Sequence, residues 1–250
     1  MLIIDSHIHC GIQNVSQPYT SIQPLLERTG IQGACLFAPV EDIYYRYDPD
    51  FDDNDGWRTC RRRAHDYLLA VADQHPQVFA YYFVWNDFLV DDLDKGFSGI
   101  KWHHHAGEPV YRYDHPGCEA MIAAICSRRL PVVLEETFEQ TRTFLQRIAR
   151  RTPVIIPHLG MLNGGFARLL EAGTWEDENV FADTALAGRV EMKQFIDRYG
   201  PDRLLFGSDY PFGEPGQELH RLQSLGLADS DLDKICAGNI LGLFQRKPDP

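Results

Sequence analysis

At 250 residues and 44% hydrophobic composition, the chain is long for one β-sandwich and typical for one (β/α)8 barrel. Its formal net charge of −12 argues against a nucleic-acid partner, which needs a surplus of Lys and Arg, but leaves room for a small anion. The six cysteines form no C-x-x-C pair and read as reduced thiols of a cytoplasmic protein. No basic segment followed by an apolar one opens the chain, and no apolar run nears the ~18 residues of a membrane span, so no membrane partner is expected.

The first apolar run, Leu2-Ile3-Ile4, reads as a buried strand that leads into Asp5-Ser6-His7-Ile8-His9. Side chains alternate along a strand, so His7 and His9 share a face and can close on one metal ion. A helix over Ile22 to Arg28 ends at Gly30 and Gly33, and Ala34 to Ala38 is a second strand. The aromatic, acidic segment from Glu41 to Trp57 has little helical periodicity and follows a strand. It is expected as a lid loop over the strand ends, with Tyr44 among its substrate-facing residues.

A helix spans Arg58 to Gln74, with the basic run Arg61-Arg62-Arg63 as its solvated face. Val78 to Trp85 and Gly99 to His103 are the third and fourth strands, and the fourth ends in three consecutive histidines. A helix over Gly117 to Arg129 precedes the fifth strand, Pro131 to Glu135. A helix over Glu139 to Arg151 precedes the sixth, Pro153 to His158. Val180 to Thr184 is the seventh strand, Val190 to Tyr199 a helix, and Arg203 to Asp209 the eighth strand. The stretch from Gln217 to Phe244 is helical in pieces.

Unbroken apolar strands alternating with helices call for a parallel sheet covered on both faces. The expected fold is α/β: a single TIM-type (β/α)8 barrel, slightly elaborated, over residues 1–250. An open doubly wound sheet is the alternative, but no phosphate-binding glycine motif supports it.

In such a barrel the strand C-termini open onto one face. That gathers His7 and His9, His103 to His105, Glu135, His158 and Asp209, with Glu136 and Asp183 nearby. Burying so many ionisable groups costs several kcal/mol each unless they pair or bind metal. A metal-centred active site follows. His103 and His105 share a face and are substrate-binding candidates; His104 points the other way. Glu136 opposes Glu135 and reads as a surface or helix-start carboxylate.

The segments Asp5-Ser6-His7-Ile8-His9, Gly99-Ile100-Lys101, Pro157-His158-Leu159-Gly160, Leu205 to Pro211 and Gly238-Asn239-Ile240 resemble the amidohydrolase superfamily. The closest likeness is to its amidohydrolase-2 branch, which holds aminocarboxymuconate-semialdehyde decarboxylase-like enzymes and lactone hydrolases. The resemblance implies that His7 and His9 are metal ligands, that Asp209 is a metal-bound carboxylate beside the reactive water, and that His158 polarises substrate or water. Those relatives usually carry a histidine where this chain has Glu135. A carboxylate there is compatible with one divalent ion, Zn2+ first, but makes Mn2+ more competitive. Lys101 either pairs with Glu135, holds a substrate carboxylate, or is carboxylated as a metal bridge.

The implied reaction is metal-assisted hydrolysis of a small ester, lactone or amide, with Asp209, His158 and Lys101 as the catalytic set. The alternatives are non-oxidative decarboxylation of a small aromatic or enol acid on the same site, and a metal-free barrel with a binding role. The expected partner is a small-molecule substrate, and a homo-oligomer is allowed.

Overall fold

The computed structural model describes residues 1–11, 16–148 and 151–245. Eight parallel strands follow one another in chain order: β1 (Ile4–His9), β2 (Gly33–Phe37), β3 (Val78–Phe83), β4 (Gly99–His103), β5 (Val132–Glu135), β6 (Val154–Ile156), β7 (Val180–Asp183) and β8 (Leu204–Leu205). Backbone bonds from Ser6 to Phe206, from Asp209 to His7 and from His9 to Tyr210, each 2.8 Å, bring the stretch around β8 back to β1. The fold is a TIM-type (β/α)8 barrel.

Helices α1 (Tyr19–Thr29), α2 (Asp55–Gln74), α3 (Pro116–Arg128), α4 (Phe138–Ile148), α5 (Phe166–Glu171), α6 (Arg189–Tyr199), α7 (Pro215–Gln223), α8 (Asp229–Asp233) and α9 (Asn239–Phe244) complete it. The acidic β3–β4 connection makes only a 3-10 segment, Val90–Lys95. No helix among the described residues is long and apolar enough to cross a membrane. The end of the helix expected to reach Arg151 falls partly outside the described residues.

Two apolar layers form. The outer one, between sheet and helices, includes Ile8, Leu36, Ile100, Trp102 and Phe144. The inner one fills the barrel with Ile4, Cys35, Tyr81, Val133, Ile155, Phe181 and Leu205, floored by Ile240 and Leu243 of α9. Two residues further along their strands, on the same face, come Glu135 after Val133 and Asp183 after Phe181. The barrel interior therefore turns from apolar to ionisable over one pleat.

On β1 the count differs. Strict alternation from Ile4 would aim Ser6 and Ile8 inward, yet Ile8 belongs to the outer layer. The β1–β2 register shifts between Asp5 and Ile8. Such a bulge re-aims side chains, and here it turns His7 and His9 into the barrel.

The aromatic segment after β2 is less of a lid than expected. Val40–Asp42 is a 3-10 turn, and α2 begins ahead of Arg58 because Asn54 caps it, accepting from the N–H groups of Gly56 (2.9 Å) and Trp57 (3.2 Å). Ile43 and Tyr44 are buried, while Tyr45 and Tyr47 are exposed. Arg61 is not solvated. It is buried and donates to Asp53 (2.7 Å), Asp87 (2.7 Å) and the Ile43 carbonyl (2.9 Å), tying this segment to β3's end.

Candidate active site

His7 is the centre of the site. Its Nδ1 lies 2.8 Å from Asp183 Oδ2, and its Nε2 lies 3.3 Å from Lys101 Nζ. The Lys101 ammonium, paired with Glu135, can only donate, so the His7 proton sits on Nδ1 and Nε2 presents a lone pair. Burial, followed by the Lys101 charge, holds His7 well below its usual pKa and keeps it neutral. His9 Nε2 and His7 Nε2 stand 3.1 and 3.4 Å from the same oxygen, Asp209 Oδ1. Burial opposes the Asp209 charge, but His7 and His9 prevail and lower its pKa, so the carboxylate is ionised.

On the far side of His7, Glu135 Oε2 accepts from Lys101 at 2.9 Å and lies 3.8 Å from His158 Nε2. Its other oxygen meets His105 Nε2 and lies 3.4 Å from His103 Nε2. Burial would raise the Glu135 pKa; Lys101 and then His103 hold it well below the usual range. His158 donates Nδ1–H to the Ala185 carbonyl at 2.9 Å, which turns Nε2 inward. Burial would lower its pKa, but the nearby Glu135 carboxylate, with Asp183 and Asp209, raises it to about 9.

Two of these residues occupy unusual backbone. His158 (φ 57°) and Asp209 (φ 58°) are left-handed, a conformation costing on the order of 1–2 kcal/mol outside glycine. Each sits where the chain leaves a barrel strand, and the tight turn points its side chain inward.

Five residues that could ligate a metal, His158 among them, thus divide into two overlapping triads, His7–His9–Asp209 and His7–Glu135–His158. In each, one ligand atom per residue lies within 4.8 Å of the others. The first suits a divalent ion. Its members are buried, and its 3.1 and 3.4 Å separations approach the roughly 3.4 Å edge of a tetrahedron with ~2.1 Å metal–ligand bonds. Asp183 supplies the outer hydrogen bond that would fix the His7 imidazole toward an ion. In the second triad, Lys101 already contacts two of the three members.

A cavity of about 290 Å3 opens above these groups. His9, His103, His105, Glu135, Asp209 and Arg46 contribute its polar wall; Met161, Leu162, Leu186 and Phe212 contribute an apolar one. A neighbouring hollow of about 300 Å3 reaches His158 and shares Met161 and Leu186 with it. The hollow of about 430 Å3 between α1 and the start of β3 lies away from the strand C-termini and carries no such cluster.

Several expectations change with these positions. Lys101 is fully buried behind the cavity wall rather than on it, and of the three readings its contacts favour the pair with Glu135. Tyr44 is also absent from that wall. Its ring stacks on Trp85 (4.2 Å) and its hydroxyl donates to Glu108 Oε2 at 2.8 Å. Glu136 is a buried carboxylate rather than a surface one. It faces away from Glu135, as alternation requires, and binds His104 Nδ1 (2.9 Å) and the Tyr113 hydroxyl.

Sequence reasoning passed over Glu108 and Arg46. Glu108 accepts from Tyr44 and from the His105 N–H (3.0 Å), and pairs with Arg46. The one available signal was its place in the loop just after three histidines. Asp183, at the end of β7, could orient the His158 ring from its place in the chain. It holds the His158 backbone N–H instead (2.8 Å), and the ring it orients is that of His7.

A family profile described as Amidohydrolase matches residues 4–246. No curated protein is matched in sequence. Among solved structures, the chain is similar to 2,6-dihydroxybenzoate decarboxylase from Rhizobium, with a TM-score of 0.75, 16% identity, and 98% and 99% of the two chains covered. It is also similar to a protein assigned as a 2-pyrone-4,6-dicarboxylic acid hydrolase in Pseudomonas putida (TM-score 0.71, 17% identity, 97% of each chain). A third likeness is to a dihydroxybenzoic acid decarboxylase from Polaromonas sp. JS666, solved with manganese and the inhibitor 2-nitroresorcinol. Its TM-score is 0.76 at 14% identity, with 98% of this chain and 97% of that one covered. At such identities these likenesses establish the shared fold.

Proposed function

This chain belongs to the amidohydrolase family of enzymes, and from that membership we propose that it is a metal-dependent hydrolase cleaving a small ester, lactone or amide. The observation that carries the reading is Asp209: an ionised carboxylate, lowered in pKa, on the wall of a cavity and within 3.4 Å of two imidazole Nε2 atoms. His7, His9 and Asp209 would hold the ion. A divalent ion in that position supplies Lewis acidity, polarising the scissile carbonyl and acidifying water.

The chain's own groups supply the rest. Asp209 takes the proton that water loses on attack and returns it to the departing oxygen or nitrogen. His158, protonated up to about pH 9, adds positive charge beside the reacting centre as the carbonyl oxygen gains negative charge. His103, His105 and Arg46 face the cavity and orient the substrate's polar end, while Met161, Leu162, Leu186 and Phe212 exclude water around its apolar part. Two imidazoles and a carboxylate favour Zn2+; the manganese of the Polaromonas neighbour supports Mn2+ as the alternative.

A second reading has its own support, since two of the neighbours named above are aromatic-acid decarboxylases. Here Asp209 takes up a proton from water and delivers it to the ring carbon, and the bond between that carbon and the carboxylate then breaks, its electron pair restoring the ring as CO2 leaves. Turnover in 18O-labelled water separates the two. One labelled oxygen in an acid product, without CO2, supports hydrolysis; stoichiometric CO2 replaces it with decarboxylation. Protein that binds no ion under any loading condition returns the chain to a metal-free binding role.

A further inference from the structure

Lys101 has no part in the mechanism above, yet it holds one of the most enclosed positions in the molecule. Its side chain is fully buried inside the barrel, with the ammonium 5.0 Å from the centre of the Phe37 ring. It donates to Glu135 Oε2 at 2.9 Å and to His7 Nε2 at 3.3 Å. Those two atoms, together with His158 Nε2 at 3.8 Å from Glu135 Oε2, make up the second triad of potential metal ligands.

A buried set of two imidazoles and a carboxylate is a competent site for a divalent cation. Here an ammonium already fills the role. Glu135 has its charge balanced, and the one lone pair that His7 has to give is contested from this side.

We propose that Lys101 is a resident cation that excludes metal from the His7–Glu135–His158 triad and confines a divalent ion to the His9 and Asp209 side of His7. The proposal rests on the functional reading only for the place assigned to the ion. Three consequences follow from the contacts. Glu135 is kept from ligating, its charge already met by the ammonium. His158 is left unligated and free to act as a proton-bearing group. The ion also sits on the cavity side of His7, where substrate arrives, since His9 and Asp209 line the cavity and Lys101 does not. Lys101 is on this account a positioning residue, acting through the charge it places beside Glu135.

The test is crystallographic, with Mn2+ alone as the probe. Wild-type, Lys101→Met and Lys101→Gln crystals are soaked in Mn2+, and the ion is located by its anomalous scattering. The wild type is expected to show one peak, beside His9 and Asp209. Either variant is expected to show Mn2+ in reach of both Glu135 and His158. Its melting temperature should also rise further on Mn2+ addition than the wild type's, because Glu135 has lost its counter-charge.

Three results would overturn the proposal: wild-type Mn2+ bound by Glu135 and His158, variant Mn2+ confined to His9 and Asp209, or a carboxylated Lys101, which is an anion. The wild-type map alone decides two of these if neither variant folds. A wild type without Mn2+ beside variants that take it up between Glu135 and His158 would support Lys101 as the excluding cation. The same result would remove the metal from the functional reading.

Discussion

Asp183 and His7 are joined by a 2.8 Å hydrogen bond in which the carboxylate accepts through Oδ2, while its Oδ1 accepts from the backbone N–H groups of His158 (2.8 Å) and Ala185 (3.1 Å). Both carboxylate oxygens are needed. Asp183→Asn must set an NH2 group either against the His7 Nδ1–H or against two backbone donors. We expect the variant to fold and to bind Mn2+ or Zn2+ about 10- to 100-fold more weakly, the range seen when such outer hydrogen bonds are lost. Calorimetric titration with the metal reads this directly; an unchanged affinity would remove Asp183 from the site.

Asp209 is predicted to be the proton carrier. Asp209→Asn keeps the side chain's shape but cannot accept a proton from water, so turnover should fall about 10²- to 10⁴-fold. Elemental analysis belongs beside the rate measurement, because Asp209 is also placed as a ligand. A variant with normal turnover would leave the proton transfer to another group.

Arg46 stands on the cavity wall, fixed by Glu108 and by Glu41 at 3.4 Å. Its ion pairs are with these two carboxylates and not with Asp209, and it faces the cavity where a substrate's polar end would rest. Arg46→Ala should therefore raise KM about tenfold with kcat nearly constant, the signature of binding lost equally from ground and transition states. A drop in kcat with KM unchanged would show that Arg46 acts on the reacting atoms.

Two groups should each withdraw stability from the metal-free protein as pH rises. They act against the gain from His7, His65 and His103, which are buried neutral and favour folding more as the unfolded chain sheds its imidazole protons toward pH 6.5. Burial raises Asp5 from an ordinary 3.8 to about 7, so between those values the unfolded chain releases a proton that the folded chain keeps, and its contribution falls before levelling off. His158 binds its proton more tightly when folded, with a pKa of about 9 against 6.5. Its contribution is complete below about 6.5 and disappears as pH rises through about 9. Melting temperatures of two variants in chelator across this range check both groups, each read as a difference from wild type. The Asp5→Asn difference should change between 3.8 and about 7, and the His158→Gln difference between 6.5 and about 9; a difference that did not vary with pH would contradict the assignment.

At Gly99 the prediction concerns packing. A Cβ there would meet the Tyr81 ring at 2.3 Å, inside the barrel at the start of the strand that carries Lys101. Gly99→Ala should cost about 1–3 kcal/mol, read as a lower denaturation midpoint with unchanged slope. Unaltered stability would mean that Tyr81 has room to move.

Much of this was legible in the chain itself. Apolar runs such as Ala34 to Phe37 and Val132 to Leu134 declared a covered parallel sheet, and the polar residues ending them declared which face holds the chemistry. Spacing also showed that His103 and His105 look one way and His104 the other. What stayed hidden depends on contacts between elements. The β1 bulge, the left-handed turns at His158 and Asp209, and the Asn54 cap are settled by hydrogen bonds and sterics that no periodicity records. Arg61 looked solvated because its partners, Asp53 and Asp87, are 8 and 26 residues away in sequence and meet it only in the fold. Lys101 could be assigned only once Glu135 and His7 were seen on either side of it.

The closing of the barrel has a mechanical consequence. His9 and Asp209 stand 200 residues apart in sequence, on the two segments whose backbones also meet through Asp209 N–H to the His7 carbonyl. An ion held by these side chains is thus a rivet through the seam between the protein's two extremities. Stripping it should loosen that joint before any other, letting amide exchange and proteolytic nicking start near Tyr210 while the staves opposite, β3 to β5, stay shut.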